Sequence, residues 1–128
     1  MLGRKEKPEV METVIGPQSE VEGKIISKAS LRIDGRFKGD IEAKDTVMVG
    51  KTGYVEGNIK ANKVIVIGEI VGNVICKGSI EILSTGKLKG DLKLGGKISV
   101  EEGGILLGTT EILEEEKIND IFKIDLSS

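Results

Sequence analysis

Over most of this chain, aliphatic and polar residues alternate in short stretches broken by glycine, the pattern of half-buried β-strands joined by tight corners. A five-residue unit recurs six times: an aliphatic or aromatic residue, a variable residue, Gly, usually Asp or Asn, and an aliphatic. Its copies are Val21-Glu22-Gly23-Lys24-Ile25, Phe37-Lys38-Gly39-Asp40-Ile41, Val55-Glu56-Gly57-Asn58-Ile59, Ile70-Val71-Gly72-Asn73-Val74, Leu88-Lys89-Gly90-Asp91-Leu92 and, degraded, Leu106-Leu107-Gly108-Thr109-Thr110. The repeat glycines Gly23, Gly39, Gly57, Gly72, Gly90 and Gly108 lie 16, 18, 15, 18 and 18 residues apart, a mean of 17.

Other columns keep the same register. Four residues before the last five repeat glycines stand Gly35, Gly53, Gly68, Gly86 and Gly104, with Ser19 in the first copy. Aliphatic pairs follow each repeat glycine: Leu31 with Ile33, Val47 with Val49, Val64 with Val66, Ile80 with Ile82, and Ile98 with Val100. A further column runs Ser27, Ala43, Ala61, Cys76, Leu94, Ile112.

A 17-residue unit with three short strands is too short for a helix-containing repeat and fits one turn of a parallel β-helix. Equivalent residues then stack about 4.8 Å apart, the glycines turn the corners, and six turns make a rod roughly 30 Å long. The pattern by itself does not fix handedness; spacings of 15 and 16 break the six-residue period of left-handed hexapeptide helices, which leans the reading to the right-handed form. The reading is an all-β, single-stranded right-handed parallel β-helix of about six turns over residues 13–112. Length variation is assigned to corners, with Gly50-Lys51-Thr52-Gly53 a long form and Asp34-Gly35 and Ile67-Gly68 short ones. Pro8 and Pro17 both precede the regular region, as strands that must donate every N–H to a ladder require.

Flexible tails are expected at 1–12 and 113–128. In the second, Ile118, Ile121, Phe122 and Leu126 have the spacing of a short helix, while Ile118 to Ile124 reads equally as a strand. A cap over the rod, an interaction tail and a frayed end are all compatible with it.

Composition narrows the chemistry. With 2% aromatics there is no stacking surface for bases or sugars, and 19 basic against 21 acidic residues is not the footprint of a nucleic-acid binder. Histidine is absent, which removes the usual general base and zinc ligand and the Ser-His and Cys-His pairs. Cys76 is the single cysteine, so no intrachain disulfide forms and a reducing cytoplasm is expected.

The runs Thr13-Val14-Ile15-Gly16-Pro17 and Ser30-Leu31-Arg32-Ile33-Asp34-Gly35-Arg36-Phe37-Lys38-Gly39-Asp40-Ile41, with the repeated Gly-Asp/Asn-aliphatic unit, resemble the bactofilins across residues 13–112. The resemblance implies a right-handed β-helix that polymerises end to end, without nucleotide, into non-polar filaments under the bacterial membrane. It also implies scaffolding of proteins for cell shape, cell-wall synthesis or motility. Both ends self-associate in that family, which makes Val14, Ile15, Val21 and Ile25 the expected contacts of the first turn. Ile105, Leu106, Leu107 and Ile112 are those of the last, with Leu106 at the place of an assembly residue that is often Phe. Met1, Leu2, Arg4, Lys5 and Lys7 resemble the family's membrane-targeting peptide. No cofactor, metal or catalytic residue is expected.

Elementary physics points the same way, because the end turns of a β-helix carry unpaired backbone groups that stick unless capped. On that ground Leu106→Arg is expected to abolish filaments. Two other classes compete: a capped monomeric β-helix binding module, and a glycan-active enzyme using Asp34, Asp40, Asp45 or Asp91 as paired carboxylates. Gly50-Lys51-Thr52-Gly53 lacks the spacing of a phosphate loop, Gly103-Gly104 lacks a calcium-roll pattern, and Cys76 belongs to the inward column. Lys24, Arg32, Lys38, Glu56 and Lys89 read as a solvated surface.

Overall fold

A computed structural model describes residues 13–127, with side chains from Val14 to Ile121. Thirteen strands are followed by one helix. They are β1 (Thr13–Ile15), β2 (Glu20–Ser27), β3 (Leu31–Ile33), β4 (Arg36–Ala43), β5 (Thr46–Val49), β6 (Tyr54–Val66) and β7 (Glu69–Val71), then β8 (Val74–Ile82), β9 (Lys87–Lys89), β10 (Leu92–Leu94), β11 (Lys97–Val100), β12 (Ile105–Leu107) and β13 (Thr110–Ile112). The helix is α1 (Glu115–Ser127).

Among the described residues the strands pair in parallel throughout, and the pairs sort into three ladders. Face A stacks β1, β3, β5, the last part of β6, the last part of β8, and β11. Face B stacks the first half of β2, that of β4, that of β6, then β7, β9 and β12. Face C stacks the second half of β2, that of β4, the middle of β6, the start of β8, β10 and β13. Each circuit through A, B and C is one turn, giving the six expected turns of a β-solenoid.

The inward columns make the core. On face A, Leu31, Val47, Val64 and Ile80 stack in one row and Ile33, Val49, Val66 and Ile82 in the next, all buried. Face B adds Phe37, Val55, Ile70 and Leu88, and face C adds Ile41, Ile59, Val74 and Leu92 with the small-residue column Ala43, Ala61, Cys76 and Leu94. Cys76 donates its thiol to the Ser79 carbonyl at 2.9 Å, and burial pushes its pKa up to about 11, the behaviour of a packed, unreactive thiol.

Two glycine columns turn two corners for different reasons. Gly23, Gly39, Gly57, Gly72, Gly90 and Gly108 have φ between 126° and 143°, open essentially to glycine alone. A Cβ on Gly57 would also lie 1.8 Å from the Gly39 carbonyl oxygen. Gly35, Gly53, Gly68, Gly86 and Gly104 are instead needed for close approach, since a Cβ on Gly68 would sit 2.2 Å from the Gly50 oxygen. At this A–B corner the long form folds over the short one: the Thr52 hydroxyl donates to the Asp34 carbonyl at 2.6 Å, and Thr85 to Ile67 at 2.7 Å.

The C-terminal tail takes the helical of its two readings, and its first turns meet the rod through Ile118. Ile118 is 1% exposed and lies against Gly95, where a Cβ would come 3.1 Å from its Cγ2. Glu115 and Glu116 occupy the first turn, the favourable sign at a helix N-terminus. The membrane-peptide residues Met1, Leu2, Arg4, Lys5 and Lys7 lie outside the described residues.

Candidate assembly ends

Among the described residues each strand of an inner turn has a neighbour on both sides, whereas β1 and β2 pair only upward and β11, β12 and β13 only downward. Inner amides show what the last turn is missing. Gly72 and Gly90 donate to carbonyls of the turn above, Lys89 and Leu107, at 2.8 Å each, and Val74 and Leu92 do the same to Asp91 and Thr109. Gly108 and Thr110 are the next members of these rows, and among the described residues no seventh turn stands above them.

The end turns also differ in outward chemistry. Face B carries two outward rows: Glu20, Arg36, Tyr54, Glu69, Lys87, Ile105 and Glu22, Lys38, Glu56, Val71, Lys89, Leu107. Inner members neutralise or stack on one another, as with Lys89 to Glu69 at 3.3 Å and the Arg36 guanidinium 4.8 Å from the Tyr54 ring centre. In the last turn both rows end in aliphatics, with Leu107 56% exposed and Ile105 also exposed. At the first turn Val14 stands over Arg32 and Ile26 over Glu42, both exposed.

The expected contact residues fall into three groups. Leu106, Ile112, Val21 and Ile25 point inward, in columns whose inner members are buried, and are partly open because no further turn stands beside them among the described residues. Ile112, for example, pairs with fully buried Leu94 yet is 60% exposed. Ile105, Leu107 and Val14 are outward rim residues. Ile15 is 7% exposed and belongs to the buried core, so it is not an open contact residue. Sequence reasoning missed Ile26 on the rim and Val100 at the inward mouth, both exposed. The signal was available, since each stands in a register column of an end turn.

Nor does α1 cover the described part of the last turn. From Leu113, whose amide still donates to Leu94, the chain reaches Gly95 through Ile118 and touches β8, which belongs to lower turns. The helix therefore starts along the side of the rod, at the C–A corner, and Ile105, Leu107 and Ile112 stay open.

The aspartates singled out for chemistry have local partners. Asp34 takes the Arg32 guanidinium at 2.9 Å and sits over Gly50, Asp40 accepts from Asn58 at 3.1 Å, and Asp91 accepts from Thr109 at 2.6 Å. Asp45 accepts from the Thr46 hydroxyl at 3.2 Å. Asp40 and Asp91 line an open groove on face C together with Lys24, Lys60 and Lys93, a mixed-charge surface with no aromatic wall. Among the described residues no cluster of three or more His, Cys, Asp or Glu is placed to hold a metal, and no helix is long and apolar enough to cross a membrane.

Comparison with known proteins gives one consistent result. The family profile for bactofilins, described as polymer-forming cytoskeletal, matches residues 13–111. Bactofilin BacO of Myxococcus xanthus is 29% identical over 105 residues, covering 82% of this chain and 82% of BacO. Bactofilin BacP of the same organism is 27% identical over 104 residues, 81% of this chain, and the match spans 43% of BacP's length. Among solved structures, a cryo-EM reconstruction of Thermus thermophilus bactofilin double helical filaments superposes with a TM-score of 0.64 and 28% identity, covering 80% of this chain and 98% of that one.

Proposed function

This chain belongs to the bactofilins, a polymer-forming cytoskeletal family of structural proteins, and from that premise we propose that it assembles end to end into non-polar filaments without nucleotide. The filaments lie at the inner face of the bacterial membrane and recruit client proteins for cell shape, cell-wall synthesis or motility. The observation that carries this reading is the pair of end turns, each unpaired on one side among the described residues and each presenting exposed aliphatic side chains. Strand addition at such edges supplies main-chain hydrogen bonds, and the open inward columns supply apolar contact.

The outward rows favour joints of like ends over head-to-tail stacking. Continuing the ladders head to tail sets Ile105 over Glu20, Leu107 over Glu22 and Glu111 over Ile26, pressing three carboxylates against aliphatics without a partner. A two-fold joint of two last turns centred on face B, at Leu106, sets Ile105 of each copy against Leu107 of the other, and apolar meets apolar. Membrane attachment rests on Met1, Leu2, Arg4, Lys5 and Lys7, each basic residue near anionic lipid contributing about 1 kcal/mol, multiplied along a filament.

Negative-stain electron microscopy of the purified chain without nucleotide or metal, paired with light scattering, tests the assembly. Long thin filaments are expected; a uniform particle of one protomer's mass overturns the reading in favour of a monomeric binding module. Co-sedimentation with anionic vesicles, lost on removing the first seven residues, tests the membrane role.

A further inference from the structure

The first turn contains enough geometry to fix how two copies meet there. β2 is an eight-residue edge strand that bends between face B and face C at Gly23. A second copy laid antiparallel along that edge matches the bend at one register only, with Gly23 facing Gly23. Any other register sets a bent backbone against a straight one. Gly23 is also the repeat glycine at which a Cβ would meet nothing within 4 Å, whereas at Gly39, Gly57, Gly72, Gly90 and Gly108 the same position is filled by backbone of the preceding turn. The row of close backbone contacts is thus left open at Gly23.

We infer that two copies join through their first turns about a two-fold axis at Gly23, with Glu22 of each copy facing Lys24 of the other. This rests on the reading that the ends assemble. The remaining pairs follow from the register. Val21 of one copy faces Ile25 of the other, both inward and partly open, so the apolar columns close on each other. On face A the same axis sets exposed Val14 against Val14. Glu20 faces Ile26, a carboxylate against an aliphatic at each outer edge of the joint, and no like-charge contact is added. Opposed residues of an antiparallel pair lie on one side of the sheet about 4.5–5.5 Å apart, within reach of an ion pair. A two-fold axis centred on face B, at Val21, would instead set Glu20 of each copy against Glu22 of the other. The charges of Glu22 and Lys24 therefore select both the register and the partner end.

The test uses the full chain with its other end disabled by Ile105→Glu and Leu107→Glu, two exposed positions whose replacement leaves the core intact. The expected product is a dimer by light scattering. Glu22→Lys alone and Lys24→Glu alone each place two like-charge contacts in the joint and raise the dimer dissociation constant by about tenfold or more, while the double reversal restores it to within about threefold. A dimer that ignores both single reversals, or a double reversal no better than either, overturns the joint while leaving filament formation standing. A monomer with the tail disabled, when the unaltered chain forms filaments, also overturns it. Absence of assembly in the unaltered chain overturns the proposed function, and the joint with it.

Discussion

The fourth turn and the sixth share backbone geometry, corner glycines and inward aliphatic columns, yet they make different surfaces. In the fourth turn Ile70 and Val74 are fully buried, because a turn lies on each side. Their counterparts in the sixth, Leu106 and Thr110, lie in the same inward rows but face outward space on one side. Outward, Glu69 of the fourth turn is tied to Lys89 of the fifth, while the sixth presents Ile105 and Leu107. A solenoid's interior is thus specified by each turn's neighbours, and its function by the turns that lack one. The chemistry of assembly is concentrated where repetition stops.

The largest effect is expected from adding a methyl group to the inner part of the glycine column. Gly57→Ala combines a backbone conformation that L residues rarely adopt with a Cβ 1.8 Å from the Gly39 oxygen. A loss of about 3 kcal/mol or more is expected in denaturant unfolding. Gly23→Ala carries only the conformational strain, about 1–2 kcal/mol, because its Cβ meets nothing within the protomer. Equal losses at the two positions would erase the distinction between inner turn and end.

Next comes the rim of the last turn. Leu107→Arg is expected to shift protomer stability by less than about 1 kcal/mol, since the side chain is 56% exposed, yet to abolish filaments by setting charge against charge in the joint. Leu106→Arg should abolish them as well, with some loss of stability because Leu106 packs partly on the core. Persistence of filaments in both variants, seen by electron microscopy, would move the joint away from this turn.

Much of the interior is legible in the order of residues alone. A column such as Leu31, Val47, Val64, Ile80 repeats one environment several times, so each copy corroborates the others, and the glycine spacing marks which corners change length. The end residues have no such corroboration. Val100 stands in the same column as buried Ile82, yet with no further turn above it among the described residues it is 44% exposed. The tail is ambiguous for another reason. Ile118 to Ile124 satisfies both helix and strand periodicity, and what decides between them is a tertiary seat, the bare backbone at Gly95, which no local pattern contains.

That seat predicts a smaller effect. Ile118→Ala is expected to free α1 from the C–A corner, seen as faster amide exchange at 115–121, at a cost of about 1–2 kcal/mol because the solenoid core is untouched. Filament formation should be unchanged, as α1 does not stand over Ile105, Leu107 or Ile112. Faster or more extensive assembly in this variant would make α1 a cap after all, and would collapse the difference between an open last turn and a covered one.

The smallest effect concerns an inner turn, and it reports burial without disturbing assembly. The Cys76 thiol titrates near 11 in the folded chain against an ordinary 9.0, because burial disfavours the thiolate. A group whose pKa is raised by folding contributes stability that is intact below the unfolded value and declines as pH rises towards the folded one. Stability should therefore be flat up to about pH 9 on this account and fall between there and about 11, by about 1 kcal/mol at pH 10. The measurement is the difference between the parent and Cys76→Ala, a residue already accepted in this column at Ala43 and Ala61. A pH-independent difference would mean that water reaches Cys76, and that the fourth turn is less tightly closed by its neighbours than its fully buried side chains indicate.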